Sequence, residues 1–346
     1  AFTLGGRSHE LVFGGNWADA ANAEISWYGN DVGTPIADLG SWTGEYPKPS
    51  FDSYSSYSDF EYRRGSAYAT VRWNLRDNIK LITGANYARV STDGVSYGEA
   101  KDTETSKTTP FAGLTVDLDE NYSAYASYGE IFSEQGQMDI DNQLVGPITG
   151  DSLEAGVKGE WLDGRLNASA ALFKMNQNNL AEYAGYNPNT GLSYYRGEDA
   201  SSEGIELTVA GALNDIWQVF GGYTHLNITG DGEQDARTYV PRDMLRISTT
   251  VLIPQIEGLK LGAQFSWQGD IERAQGELDF DGDEIISRQQ SYALLGLMAS
   301  YSLTSQWTIS ANIDNLTNEK YLTSLYWSQG YYGAPRNGSL TLRYDF

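Results

Sequence analysis

The two histidines are the first residues to consider for chemistry, because imidazole is the usual general base near neutral pH and a common metal ligand. His9 and His225 lie far apart in the chain, each in a stretch that is predicted to be a strand. The serine-rich stretch 53 to 58 has no neighbouring base, and the chain has no cysteine. A catalytic site needs partners that converge on one point. The sequence therefore predicts no enzyme, no catalytic residue and no cofactor.

Three carboxylates in one loop form a weak calcium candidate. Asp279, Asp281 and Asp283 have the alternating spacing of oxygen ligands in calcium-binding loops. An EF-hand loop that begins at Asp279 would need glutamate at its twelfth position, where this chain has Gln290. That mismatch favours a solvated acidic loop over a metal site.

Aromatic and arginine residues in the long polar loops are the main candidates for ligand binding. Such side chains can stack on a large organic ligand and neutralise its charge without supplying metal ligands. For each aromatic residue, the alternative is a role in the interfacial girdle or in the stability of the loop. The candidates are Tyr186, Tyr194, Tyr195, Arg196, Tyr239, Tyr326, Trp327, Tyr331 and Tyr332; the notable residues beside them are Trp42, Tyr46, Tyr183 and Arg336.

Strict alternation of apolar and polar residues indicates the elements that must position these loops. Leu340, Leu342, Tyr344 and Phe346 alternate with polar residues, and 153–161, 259–268 and 307–314 repeat the pattern. No apolar run approaches the roughly 18 to 20 residues of a membrane helix. A closed barrel satisfies every backbone group in lipid with only alternate apolar residues, so a mean hydropathy of -0.45 is compatible with a membrane protein.

Short turns and long loops alternate between the predicted strands, as in outer-membrane barrels. We predict a single all-β domain over 1–346, a transmembrane antiparallel up-and-down barrel with about 14 strands. A soluble sandwich or propeller is disfavoured, because several predicted strands far exceed the usual five or six residues or so. The predicted strands are 9–19, 53–75, 78–96, 107–118, 121–132, 151–162, 165–184, 193–213, 217–229, 240–253, 259–273, 288–303, 307–322 and 336–346; the long loops are 28–52, 96–107, 133–149, 185–194, 230–239, 273–288 and 323–335.

Charge and chain ends add two expectations. The formal net charge of -23 argues against a nucleic-acid partner, since phosphate binding needs a concentrated basic surface. The chain starts at Ala1 without an initiator methionine or a signal peptide, so we expect either a processed protein or a part of a longer one.

Five stretches carry a family resemblance. Residues 122–133, 156–173, 202–207, 312–321 and 333–346 resemble, in order and at plausible spacing, strands and hairpins of TonB-dependent outer-membrane receptors. The chain is most similar to the branch that binds ferric pyoverdine and hydroxamate siderophores. Members of this family carry an amino-terminal TonB box and a plug inside a barrel of about 22 strands. The chain shows neither, and the resemblance covers the carboxyl-terminal part of the barrel.

The resemblance implies a function that the residues alone do not. It implies an integral protein of the Gram-negative outer membrane, a monomer among outer-membrane lipids and lipopolysaccharide. The ligand would be a ferric siderophore bound at the extracellular face, and uptake would depend on the TonB-ExbB-ExbD complex acting through a plug. In the family, pocket aromatics come from the outer ends of the strands, which implies Phe132, Tyr326 and Trp327 as the first residues to test. A passive, porin-like channel remains the alternative, because a barrel without a plug would conduct.

Overall fold

The computed structural model describes residues 1–30, 41–43, 45–52, 54–189, 191–325 and 330–346. In this part of the chain the structure is almost entirely β, with one short 3-10 turn at Asp231–Glu233. No helix in the described ranges is long and apolar enough to cross a membrane. The strands are β1 (Phe2–Leu4), β2 (Arg7–Tyr28), β3 (Tyr54–Arg76), β4 (Ile79–Ser96), β5 (Glu99–Ala100), β6 (Thr103–Asp117), β7 (Tyr122–Ser133), β8 (Ile148–Trp161), β9 (Leu166–Tyr186), β10 (Ser193–Ala212), β11 (Trp217–Thr229), β12 (Asp243–Leu252), β13 (Leu259–Gln268), β14 (Ile271–Leu278), β15 (Glu284–Gln289), β16 (Tyr292–Ser302), β17 (Trp307–Asp314), β18 (Leu322–Ser324), β19 (Tyr331–Tyr332) and β20 (Asn337–Tyr344).

One antiparallel sheet of 16 strands contains nearly all of these elements. Each long strand pairs with the next long strand in the sequence, which is the up-and-down order that we predicted. Two members are very short, β1 with 3 residues and β5 with 2 residues. The other 14 strands of the sheet match the predicted number. The other strands form two small hairpins, β14–β15 and β18–β19, inside predicted long loops.

Some strand ends differ from the prediction. Strand β2 continues to Tyr28 instead of ending at 19, because its ladder with β3 runs without a break to the outer end of both strands. Strand β17 stops at Asp314 instead of 322. The next residue, Asn315, has a left-handed φ of 48° and donates from its side-chain amide to the carbonyl oxygens of Glu319 and Ala334. A side chain that offers the backbone local hydrogen bonds ends the strand there.

The strand register separates the sheet into two faces. Leu261, Ala299, Ala311 and Leu340 form one row across four strands, and we call this side the outer face. The row beside it, Gly262, Met298, Asn312 and Ser339, lies on the opposite side, the inner face. On the far half of the sheet, Leu114, Ala126, Ala155 and Leu172 continue the outer face. Alternate residues are therefore apolar on the outside and smaller or polar on the inside, as predicted.

No second layer covers the outer face in the described part of the chain. Leu340 is 72% exposed and Leu172 is 61% exposed, whereas few apolar side chains are buried. Exposure of an apolar surface of this extent to water would be unfavourable for a monomeric protein, whereas contact with lipid hydrocarbon is not. This distribution is that of a membrane wall and not that of a sandwich.

Aromatic pairs lie beside the short turns. The rings of Tyr122 and Trp161 are 5.6 Å apart, and those of Trp307 and Tyr344 are 4.7 Å apart. Tyr and Trp prefer the membrane interface, where the ring is in an apolar region and the polar group reaches water. These pairs form one girdle, and the long loops therefore lie at the opposite rim.

Candidate ligand-binding site

The outer ends of β9 and β10 carry most of the candidate residues. Two irregularities shift the register between these strands, one between Tyr194 and Tyr195 and one between Glu198 and Ala200. A β-bulge changes the direction of the side chains that follow it. Both irregularities of the β9–β10 ladder therefore lie in the part of it that carries the candidate residues.

Three tyrosines form an aromatic cluster at this rim. The ring of Tyr183 lies 5.9 Å from that of Tyr186 and 6.1 Å from that of Tyr195, both in edge-to-face geometry. Tyr186 is 69% exposed, so one ring of the cluster offers its surface to a ligand. Desolvation, followed by the neighbouring Tyr186 hydroxyl, raises the pKa of Tyr183. The Tyr183 phenol therefore stays neutral and able to donate a hydrogen bond.

Paired charges occupy the strand positions next to the tyrosines. Arg196 and Glu182 are cross-strand partners, and Arg196 Nε donates to Glu198 at 2.8 Å. Arg237, from the loop between β11 and β12, forms an ion pair with Glu182 and donates to the Tyr239 hydroxyl at 3.3 Å. These contacts fix two guanidinium groups at the same rim. Arg196 and Glu182 point to the face opposite Tyr183 and Tyr195, because consecutive residues of a strand point to opposite faces. A ligand would therefore meet N–H donors that are already oriented.

Two further arginines organise the neighbouring loop. The guanidinium of Arg273 lies 4.6 Å from the centre of the Tyr239 ring, which is a cation-π contact. Arg242 donates to the carbonyl oxygen of Ala236 at 2.6 Å, and desolvation lowers its pKa against the opposing effect of Asp235. Arg237, Arg242 and Arg273 were not among the predicted site residues. Arg237 lies in the same predicted long loop as Tyr239, which is the signal that could have found it, whereas Arg242 lies in a predicted strand and Arg273 at the end of one.

Other candidate residues lie away from this cluster. Phe132 pairs with Thr149 and shares the outer face of β7 with Tyr128. Tyr331 and Tyr332 form β19, and both are exposed, with the Lys320 ammonium 4.6 Å from the centre of the Tyr332 ring.

Two candidates lie outside the described residues. These are Tyr326 and Trp327. Of the ten candidates, the structure brings together Tyr186 and Tyr195 through Tyr183, with Tyr194 next to Tyr195 in the chain. Arg196 lies on the other face of β10, where its cross-strand partner Glu182 is linked to Tyr239 through Arg237.

The acidic loop gives the calcium candidate no support. The Asp279 carboxylate accepts the backbone N–H groups of Asp281 and Asp283 at 2.9 and 3.0 Å, so it closes its own turn. Across the described ranges, no group of three or more His, Cys, Asp or Glu residues is arranged to hold a metal ion.

The histidines have separate structural surroundings. His9 is 5% exposed; its Nδ1 accepts the backbone N–H of Asn74 at 3.1 Å, and its ring packs near Phe2 and Trp73. His225 Nδ1 lies 2.8 Å from the Asp243 carboxylate on a different part of the sheet. They do not converge on one site.

Known proteins match the chain over its whole length. The family described as TonB dependent receptor-like, beta-barrel matches residues 1–316. The ferripyoverdine receptor of Pseudomonas aeruginosa is 32% identical over 359 residues, which cover 100% of this chain and 43% of that receptor. The ferrioxamine B receptor of Salmonella typhimurium is 25% identical over 350 residues, which cover 96% of this chain and 47% of the receptor. The chain thus spans less than half the length of these relatives.

Solved structures agree with the sequence relationship. The ferripyoverdine receptor of the Pseudomonas aeruginosa outer membrane bound to ferripyoverdine superimposes with a TM-score of 0.88 at 30% identity, covering 100% of this chain and 47% of that one. The relatives are outer-membrane receptors, which confirms the predicted family, location and absence of enzymatic activity. This chain belongs to the TonB-dependent receptor family and is part of an outer-membrane β-barrel of that family.

Proposed function

We propose that this chain forms the extracellular binding rim and part of the membrane wall of a receptor that imports a ferric siderophore. The observation that supports this most is the cluster of Tyr183, Tyr186 and Tyr195 at the outer rim, with Arg196 and Arg237 on the other face of the same strand ends. Iron in a siderophore is already fully ligated, so its receptor needs stacking surfaces, hydrogen-bond donors and charge rather than metal ligands. The rim supplies those three features.

We further propose that the chelate is of the hydroxamate or mixed type. The relatives named for ferripyoverdine and ferrioxamine B support this choice. The Arg196 and Arg237 guanidinium groups, each paired with a glutamate, would donate their remaining N–H groups to the oxygens of the chelate. In the intact receptor, TonB-ExbB-ExbD would act through a plug, and the receptor would work as a monomer among lipids and lipopolysaccharide.

A binding assay with a panel of chelates tests the proposal. Cells that express the intact gene are incubated with radiolabelled ferric hydroxamate, catecholate and carboxylate siderophores, next to cells without the gene. We expect saturable binding of one or more hydroxamate-containing chelates. Uniform failure across the three classes, with the receptor present in the outer membrane, would contradict the proposal.

A further inference from the structure

The segment that joins β7 to β8 is an ordered hairpin on the outer rim. Residues 137–145, which we call the rim hairpin, contain an antiparallel bridge between Met138 and Leu144. The N–H of Asp139 donates to the Gln143 carbonyl oxygen at 2.8 Å, and the Asp139 carboxylate accepts the Gln143 N–H at 2.8 Å. The rim hairpin therefore has its own backbone hydrogen bonds and a closed tip.

Two side-chain amides tie the rim hairpin to β9. The Gln135 amide oxygen accepts the N–H of Ala181 at 3.0 Å, and its Nε2 donates to the carbonyl oxygens of Asn179 at 2.5 Å and Gly146 at 2.7 Å. The Asn179 Nδ2 donates to the carbonyl oxygen of Val145 at 2.7 Å. Both chain ends of the rim hairpin are therefore attached to the same point of β9.

The backbone of β9 is irregular at that point. Asn179 has a left-handed φ of 63°, and its N–H donates to the Asp199 carboxylate at 2.8 Å instead of joining the ladder. Gly197 faces it from β10, where a Cβ would lie 2.0 Å from the Asn179 amide oxygen. Glycine leaves the necessary space, and asparagine tolerates the left-handed conformation better than most residues. The irregularity thus presents the Asn179 amide to the rim hairpin.

The rim hairpin lies against the candidate tyrosines. The N–H of Tyr195 donates to the Met138 carbonyl oxygen at 2.8 Å. Asn187 is 7% exposed, and its Nδ2 donates to the Ile140 carbonyl oxygen at 2.7 Å. A cavity of about 250 Å³ between these parts is lined by Met138, Asn187 and Tyr194, among others.

We propose that Gln135 and Asn179 are positioning residues, which hold the rim hairpin as a preformed wall of the ligand site beside Tyr194 and Tyr195. This inference rests on the proposed function as a siderophore receptor. It adds a part of the binding site that is ordered before the ligand binds. A wall that is already ordered spares the entropy that ordering a loop would cost on binding. The side chain of Ile140 is exposed on this wall and offers an apolar contact.

Hydrogen exchange and chelate binding on the intact receptor test the two halves of the inference. Asn179→Gly keeps the left-handed backbone and removes the amide, and Gln135→Ala removes the second clamp. In the receptor without ligand, we expect the amide protons of the rim hairpin to exchange about tenfold faster or more in each variant. We also expect weaker binding, by about three- to tenfold, of the hydroxamate chelate that the unmodified receptor binds. Asn167→Ala is the matched control, because it removes an amide at the opposite end of β9.

The possible results distinguish a failure of the Gln135 and Asn179 hydrogen bonds to hold the rim hairpin from a failure of the proposed receptor function. Unchanged exchange in both variants would show that the two amides do not hold the rim hairpin, and it would overturn the inference. Faster exchange with unchanged affinity would also overturn it, because the rim hairpin would then not be a wall of the site. If the unmodified receptor bound no chelate of any class, the proposed function would fail, while the exchange result would still decide whether the clamp exists.

Discussion

Tyr186 shows how one residue of the rim can contribute to binding. Its ring contacts Tyr183 by an edge and is otherwise exposed, so the cluster holds it while leaving a surface for a ligand. A rigid aromatic ring offers a large contact area and loses little conformational entropy when it binds. Arg196 and Arg237, at the same rim, are held by Glu198 and Glu182, which keeps their positions defined without a ligand.

Removing the Tyr186 ring is expected to weaken binding of the chelate. For Tyr186→Ala we expect a loss of about 1–2 kcal/mol, which is roughly five- to thirtyfold in dissociation constant, and Tyr186→Phe should retain most of the affinity. Titration of the labelled chelate against cells or purified intact receptor measures the change. Tyr301→Ala, in the girdle of the opposite rim, should bind as the unmodified receptor does. Equal losses in the two alanine variants would argue for a general defect instead of a contact.

At the scale of the strands, face alternation determines which substitutions the wall tolerates. Leu172 lies on the outer face of β9. Ser127 lies on β7 and points to the inner face, where its cross-strand partner is Glu154 of β8. The two positions are at a similar level of the sheet, because Ala126 and Leu172 belong to one row across β7, β8 and β9. They therefore form a matched pair for a test of the membrane assignment.

A charge on the outer face should be costly, and one on the inner face should not. For Leu172→Arg we expect a loss of about 2–4 kcal/mol in the free energy of unfolding, since hydrocarbon does not solvate a guanidinium. For Ser127→Arg we expect a change within about 0.5 kcal/mol, because the new cation lies on the polar inner face opposite Glu154. Urea unfolding of the intact receptor in lipid vesicles measures both. A similar cost at both positions would contradict the assignment of the faces.

Close packing of one glycine of β4 against both neighbouring strands, β3 and β6, gives a second prediction. A Cβ at Gly84 of β4 would lie 2.4 Å from the Phe111 ring and 2.6 Å from the Ala69 carbonyl oxygen. Gly84→Ala should therefore lower the free energy of unfolding by about 1–3 kcal/mol, because the backbone oxygen cannot move away as a side chain could. Gly222→Ala is the control, since its nearest atom is 3.9 Å away. The same unfolding measurement applies, and equal stability of the two variants would count against the packing at Gly84.

At the scale of the whole molecule, the wall alone does not distinguish a receptor from a channel. The same 14 long strands with a polar inner face would serve either an uptake receptor or a passive porin-like pore. The match to receptors that are more than twice as long as this chain favours the first.

Conductance across a planar bilayer separates the two. If the intact gene product is a plugged receptor, its insertion should add little steady current, whereas an empty barrel of this kind should conduct openly. The current after insertion of purified protein at fixed voltage is the readout, with a known porin as the positive control. A large and persistent conductance would favour the channel and would weigh against uptake driven by TonB.

The sequence by itself determined the strands and their faces. Alternation at Leu340, Leu342 and Tyr344 fixes which side of β20 meets lipid, because side chains of a strand point to opposite faces in turn. The alternation of short turns with long loops then fixed the up-and-down order. Both are local properties of the chain, and they do not depend on distant residues.

Only the tertiary structure decided the composition of the binding rim. The ion pair of Arg237 with Glu182 joins residues 55 positions apart in the chain, and the Asn179 clamp joins β9 to the loop before β8. Strand β2 ran beyond its predicted end for a related reason, since its partner β3 supplies hydrogen bonds that the local pattern does not show. Contacts between loops depend on which loops the fold brings together at one rim, and the periodicity of the strands carries no information about that.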